Sequence, residues 1–333
     1  MENKSKMHKS VSMAKTFEKI GKFWTLGIFV LILCFFALQQ SRIFSIDYWG
    51  STLEYMTEIL LLAIGEGMVM LTGGIDLSIG AASGFIGVTT AVLIKAFVPA
   101  MGEVPAIILA IVIGIGIGVV LGFINGTIIT RMKLSPFLAT IGTMGICAGL
   151  SLVLSEGHEV VGLPRIMGEF ANHRMLGFIT PNVLVSWLVL LFFVYRLHCT
   201  RWGLYTYACG SNIEAAKRAG INATRHVTGV YINAGLMAAL SGILLMMRFT
   251  SASPLTGQTT QLIAVAAAAI GGINSKGGSG KAEGILLGAL IISVVMTGLV
   301  VINVQAYWQQ VAVGVIIVLS VYMDQFSDRA RLR

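Results

Sequence analysis

Charge is scarce in this chain: Asp, Glu, Lys and Arg make up only 11% of its 333 residues, against 56% that are hydrophobic. With a mean hydropathy of +0.85, a domain of this length could not clothe a water-facing surface, which excludes a soluble globular fold. Cysteine is equally sparse. Cys34, Cys147, Cys199 and Cys209 show no CxxC spacing, and the last two are expected in the reducing cytoplasm, so neither a disulfide nor a zinc centre is expected. His8, His158, His173, His198 and His226 are scattered over loops and read as solvated or interfacial groups. The chain has no His/Asp/Glu cluster with catalytic or metal spacing, so no catalytic residue, metal or cofactor is expected and a membrane-embedded enzyme is disfavoured. Long polar stretches are few. They comprise the N-terminal tail, a loop from Ser155 to Phe178, and a segment centred on Glu214. Phe23 to Gln40 is followed by Ser-Arg-Ile-Phe and not by a small-residue cleavage site, so this first apolar run is expected to be an anchor.

What is present in abundance is apolar sequence in pieces of near-membrane length. Crossing ~30 Å of hydrocarbon takes ~20 residues of helix, and the spacing predicts an all-α, polytopic bundle of about ten spans. Their expected limits are 23–40, 54–72, 77–97, 105–130, 134–154, 179–197, 227–249, 259–273, 282–302 and 307–323. The expected organisation is a basic cytoplasmic tail over 1–22, a membrane domain over 23–323, and a cytoplasmic tail over 324–333. Lys and Arg stay on the cytoplasmic side of short loops. With both termini inside, 18 of the 23 basic residues fall inside, and only Arg42, Lys95, Arg165, Arg174 and Arg248 fall outside. The net charge of +8 then reflects topology and contact with anionic lipid, and nucleic acid need not be invoked.

One polar island stands out, from Tyr205 to Asn222, and the same charge pattern places it in the cytoplasm. Ser211 followed by Glu214 three residues later predicts a capping box, and Gly220 predicts a left-handed stop, so a short helix is expected from about Asn212 to Ala219. At about 12 Å it spans nothing, but it is long enough to sit in a partner's groove.

Glycine is the dominant packing device. Gly114, Gly118, Gly122 and Gly126 recur every four residues, with Gly116 beside them, and Gly80/Gly84 and Gly284/Gly288 repeat the spacing. These stripes predict close helix–helix seams. Gly73-Gly-Ile-Asp-Leu-Ser-Ile-Gly80 and Gly271-Gly-Ile-Asn-Ser-Lys-Gly-Gly278 share Gly-Gly-Ile, through either chance or an internal repeat.

In the first of these turns Asp76 is placed to accept backbone N–H groups near Ser78, with Gly73 and Gly74 before it. It can act as a cap alone, or as a cap at a break that also gates, and it is expected at the cytoplasmic boundary or in a water-accessible break. Glu66, between Gly65 and Gly67, is the one acid expected deep in a span, with Asn125, Thr143, Asn233, Ser241 and Gln261 as the neutral polar groups of other spans. Relays need several facing ionisable groups, so Glu66, Asn125, Asn233 and Gln261 read better as lining a path for an uncharged, hydroxyl-rich solute. Ser275-Lys-Gly-Gly-Ser-Gly-Lys281 imitates a phosphate loop. However, Ser275 replaces the first glycine, Ala282 replaces the magnesium-binding hydroxyl, and no strand precedes it. It is expected to be a flexible cytoplasmic turn, and any ATP hydrolysis belongs to another polypeptide.

Nearly the whole chain resembles the permease subunits of bacterial ATP-binding-cassette importers for monosaccharides of the ribose, galactose and xylose type. The resemblance rests on Gly73–Gly80, on Ser135-Pro-Phe-Leu-Ala-Thr-Ile-Gly-Thr143, on the Gly203–Ile221 segment and on the glycine-rich stretch from Ala264 to Gly288. The chain departs from the pattern at Gly271-Gly272-Ile273 and Gly277-Gly278-Ser279-Gly280-Lys281, and the Glu156–Arg174 loop matches no particular sugar. The resemblance implies an extracytoplasmic sugar-binding protein, a second permease subunit forming a homo- or heterodimer, and a cytoplasmic ATP-binding subunit, expected as a tandem. It also implies that the 203–222 segment couples to the ATPase, with Ala215, Ala216 and Ala219 seating it in the partner's groove and Glu214 holding its N-terminus. The competing reading is an ion-coupled secondary transporter using Glu66 and Asp76, which leaves the short helix without a task.

Overall fold

The computed structural model describes residues 26–305, 307–316 and 318. The expected tails, 1–22 and 324–333, lie outside the described residues, as do the start of the first expected span and the end of the tenth. Among the described residues the chain is helical, with no strand and only two isolated bridges, Val160 to Ala252 and Met175 to Ile179.

The helices are α1 (Leu26–Gln39), α2 (Ile46–Leu71), α3 (Ile79–Met101), α4 (Glu103–Thr130), α5 (Pro136–Leu154), α6 (Arg165–Ala171), α7 (Pro181–Cys199), α8 (Arg201–Ser211), α9 (Ile213–Arg218), α10 (Ala223–Phe249), α11 (Thr260–Ile270) and α12 (Ala282–Val301), and residues 307–316, in the tenth expected span, are helical as well. Six of them, α3, α4, α5, α7, α10 and α12, are long and apolar enough to cross a membrane. Several expected limits change. α2 starts at Ile46, because Ser45 accepts the Tyr48 N–H and caps it. It has the length to cross, at 26 residues, but carries Asp47, Glu54, Glu58 and Glu66. The expected eighth span is instead α11, whose 11 residues reach only about 17 Å. α6 and α8 occupy stretches where the sequence predicts no helix.

α2 and α10 are the buried axis. From Ile59 to Leu71 every α2 residue is buried, and α10 packs against α2, α3 and α4. The glycine stripe of α4 explains its seat on α10. A Cβ at Gly118 would lie 2.5 Å from the Gly235 carbonyl oxygen, and one at Gly122 would run into the Tyr231 carbonyl. Gly235 answers against the Gly118 carbonyl, so the two backbones touch with no side chains between them. Gly116 faces open space and takes no part in the seam. Gly284 and Gly288 do the same for α12 against Gly271 and Ala267 of α11.

At one end of the bundle α2, α10 and the 172–180 loop are tied by ions: Glu54 pairs with Arg248 at 3.0 Å, and Arg174 with Asp47 at 2.9 Å. The opposite end gathers the C-termini of α2 and α7, the N-termini of α10 and α12, and the α8–α9 segment.

Gly122→Val should destabilise the protein by about 1–3 kcal/mol or more, since the obstacle is rigid backbone. Gly116→Val should stay within about 0.5 kcal/mol. Thermal unfolding midpoints of the detergent-solubilised protein, compared side by side, test this contrast.

Candidate functional site

The α8–α9 segment is held by a series of caps. Thr200 accepts the Trp202 N–H at 3.2 Å and starts α8. α8 continues through Ser211, so Ser211 is the last residue of one helix and not the cap of the next. The chain breaks at Asn212, at φ −163° and ψ 104°, and it is the Asn212 side chain that accepts from Glu214 N at 3.0 Å and Ala215 N at 2.9 Å. The expected capping box is therefore replaced by an asparagine cap one residue later. Asn is as good a cap as Ser, and it leaves Glu214 free to pair with Lys217 at 2.7 Å on the exposed face. Gly220 has φ +83°. Its N–H reaches Lys217 O at 3.0 Å, and Ile221 N reaches Ala216 O at 3.1 Å, the paired bonds of a left-handed helix stop. Asn222 then caps α10 through Arg225 N.

The two alanines of α9 and its C-cap Ala219 do not act together. Ala216 is 4% exposed and faces the chain's own body, so it cannot enter a partner's groove. Ile213, Glu214, Ala215, Lys217 and Ala219 remain exposed.

α8 is fastened to the bundle where backbone meets backbone. A Cβ at Gly210 would strike the Leu71 carbonyl and lie 2.5 Å from Gly278 N, while Gly278 N donates to that same Leu71 oxygen at 2.9 Å. A Cβ at Gly278 would lie 2.8 Å from Ser211 N, and one at Gly277 2.8 Å from Gly73 N. The phosphate-loop imitation is thus packed between α2 and α8 and is not a free turn. Gly277 and Gly278, at φ +88° and +74°, are what let it approach. Tyr207 Oη donates to Gly280 O at 2.9 Å. Burial first, then the Glu283 carboxylate, raises this phenol above its ordinary range, so it stays a donor. His198 and Glu283 meet at 2.9 Å and join α7 to α12 at the same end.

Beyond Leu71 the chain enters the Gly73 turn. Gly73 N bonds Met70 O and Gly74 N bonds Val69 O, and Gly272 and Ile273 make the equivalent bonds to Ala269 and Ala268. The two turns are alike, but Gly73 corresponds to Gly272, one residue away from the Gly73–Gly271 pairing that the shared Gly-Gly-Ile suggests. After the turn Asp76 N donates to both oxygens of Glu66, at 3.1 and 3.2 Å. Asp76 Oδ1 accepts Ser78 N at 2.9 Å and Ser78 Oγ at 2.5 Å. Asn125 Nδ2 donates to Ser78 Oγ at 2.8 Å, and Thr143 Oγ1 to Asn125 Oδ1 at 2.6 Å. This chain of bonds ties α2, α4 and α5 to one turn. It is enclosed: Glu66 is 0% and Asp76 3% exposed, so the water-accessible position expected of Asp76 is not found. Gly65 and Gly67 explain the enclosure, because Ile79 and Ile285 press within 2.7 and 2.8 Å of where their Cβ atoms would be.

The four residues expected to line a path fall in three places. Glu66 and Asn125 share the node just described. Asn233 lies between α7 and α10, accepting from Arg196 Nη1 at 2.9 Å and donating to Gly229 O at 2.6 Å. Gln261 packs against Gly80 of α3 and donates to Gln258 O at 2.8 Å. Sequence reasoning missed Asn212, whose signal was present in its position just before Ile213-Glu214. It also missed the Leu71–Gly210–Gly278 contact, which has no local signal.

The match to known proteins covers most of the chain. Residues 50–321 fit the family described as "Branched-chain amino acid transport system / permease component". The ribose import permease protein of Bacillus subtilis (strain 168) is 38% identical over 310 residues, 92% of this chain and 93% of the relative. The fructose import permease protein of Rhizobium meliloti is 33% identical over 302 residues, 89% and 82% respectively. The D-allose transport system permease protein of Escherichia coli (strain K12) is 31% identical over 323 residues, 96% of each. No solved structure matches.

The cap assignment predicts that Asn212→Ala costs about 1 kcal/mol of local stability and speeds amide hydrogen exchange at Glu214 and Ala215, whereas Ser211→Ala leaves both unchanged.

Taken together, the helical bundle, its capped polar segment and these matches make the chain a member of the branched-chain amino acid transport system permease family, a multi-pass membrane transport component.

Proposed function

We propose that this chain is the permease subunit of an ATP-binding-cassette importer that carries a monosaccharide or similar hydroxylated solute inward, with ATP hydrolysed on a separate cytoplasmic subunit. The observation that carries the reading is the α8–α9 segment. A six-residue helix between the Asn212 cap and the Gly220 stop presents Ile213, Glu214, Ala215 and Lys217 outward, with its C-cap Ala219 exposed beside them. It is joined to the bundle through the backbone contacts of Gly210, Leu71 and Gly278. That is what a rigid docking element needs. Sugar specificity is supported by relatives whose names specify ribose, fructose and allose import.

The arrangement we infer has about ten crossings in a bacterial inner membrane, with both termini and the 203–222 segment in the cytoplasm, as the distribution of basic residues suggests. A tandem ATP-binding subunit would dock on α9. A sugar-binding protein would deliver solute at the opposite end, where Arg174, Glu54 and Arg248 join the loops. A second permease, identical or related, would complete the path. Movement of α9 would reach the Gly73, Gly74, Asp76 and Ser78 turn through Leu71, which gives this turn a mechanical role. Glu66 and Asp76 already hold the turn through backbone and hydroxyl bonds, and these are the two acids that an ion-coupled mechanism would use.

In the complex reconstituted in vesicles, Gly220→Pro should abolish solute-stimulated ATP hydrolysis while the membrane domain still assembles, because proline cannot take the left-handed conformation at this position. Uptake of labelled ribose, fructose, allose and galactose should require ATP and persist when ion gradients are dissipated. Undiminished coupling in the variant, or uptake that collapses with the gradient, would refute the reading.

A further inference from the structure

α7 and α10 leave a groove of about 290 Å³ between them, lined by Leu188, Val189, Phe192, Leu236 and Met237, with Asn233 toward the Phe193 end. Leu188 and Phe192 are 65% and 55% exposed, so the groove opens on the outer surface of the described chain. Arg196, in the last turn of α7, does not line the groove but bonds Asn233, its one polar lining residue. The guanidinium carbon lies 4.0 Å over the Trp202 ring, and 5.9 and 5.8 Å from the Phe192 and Phe193 rings. Asn233 takes one of its N–H groups at 2.9 Å and is itself fixed by Gly229 O.

Among the described residues no carboxylate pairs with Arg196. A guanidinium has five donors in a planar fork, and Asn233 accepts from only one of them. A half-buried charge held by aromatic faces and a neutral amide, with no carboxylate on it among the described residues, calls for an anion. Two further basic groups, Arg201 and Arg225, are exposed at the same end of the bundle. An apolar groove that opens outward beside a forked cation in the terminal turn of a membrane-length helix matches one kind of molecule. That molecule has a hydrocarbon chain for the groove and a phosphate for the fork.

We propose that the α7–α10 groove is a binding site for an anionic phospholipid, with one acyl chain along Leu188, Val189, Leu236 and Met237 and its phosphate on Arg196. Trp202 and Asn233 position the guanidinium for it. The lipid would cross-brace α7, α8 and α10 next to the α8–α9 segment, a role that goes beyond the proposed transport function and does not depend on it.

The test is native mass spectrometry of the detergent-purified protein titrated with phosphatidylglycerol and phosphatidylcholine of identical acyl chains. Phosphatidylglycerol should be retained preferentially. Arg196→Gln should lower that preference roughly fivefold, the scale of one basic residue's attraction for an anionic leaflet. Leu236→Trp, which fills the groove and leaves the arginine in place, should reduce retention of both lipids, and it decides the matter alone if Arg196→Gln does not fold. Equal retention of the two lipids by the unaltered protein would overturn the proposal, as would an unchanged preference in Arg196→Gln. Displacement of phosphatidylglycerol by inorganic phosphate would mark a phosphate site without the chain. A disulfide between Leu188→Cys residues of two copies would show that protein covers the groove. Either result would also overturn it.

Discussion

The carbonyl oxygen of Leu71 is the point on which the described chain turns. It is the last residue of the most buried helix, and its oxygen is met by Gly278 N at 2.9 Å and approached by the backbone of Gly210. Three segments far apart in sequence converge there without a side chain between them. A methyl group at Gly210 or Gly278 would collide with backbone, which cannot rotate away as a side chain can. The polar α8–α9 segment is thereby made one body with the end of α2.

What lies on either side of that contact follows from it. Outward, the Asn212 cap and the Gly220 stop keep α9 short and stiff, while Ala216 points inward and seats it. Inward, the chain passes Leu71, reverses at Gly73, and is caught again when Glu66 accepts the Asp76 N–H. Each link is a hydrogen bond to backbone or a glycine contact, so displacement of α9 has little slack in which to be lost. The α4–α10 glycine seam supplies the frame against which such a displacement would act, and the bonds through Ser78, Asn125 and Thr143 tie the turn to α4 and α5. Enclosed from solvent, these buried polar groups satisfy one another.

Local chemistry made part of this legible in the sequence. Six membrane-length helices, the Gly114–Gly126 stripe and the left-handed residue at Gly220 all carry signals within a few positions. The cap of α9 was nearly readable, but Ser211 and Asn212 are adjacent good caps, and only the extent of α8 decides between them. Long-range pairings were not readable. Nothing in the sequence near Glu66 points to Asp76 N as its partner. Nothing in a glycine-rich loop distinguishes a loose turn from one wedged between two helices. The three locations of Asn125, Asn233 and Gln261 depend on which faces of their helices meet, and spacing along one helix does not report that.

The central claim is that α9 and the 273–281 loop move as one body with the end of α2. Distance measurement between spin labels in the assembled complex tests it most directly. Labels would be placed at Lys217→Cys and Ser279→Cys in a chain whose four native cysteines are replaced, with a third label at Ile146→Cys on α5 measured separately. The account predicts one narrow Lys217–Ser279 distance that is the same with and without ATP, while the distance from Lys217 to Ile146 shifts through the cycle. A Lys217–Ser279 distance that broadens or shifts with nucleotide would contradict it.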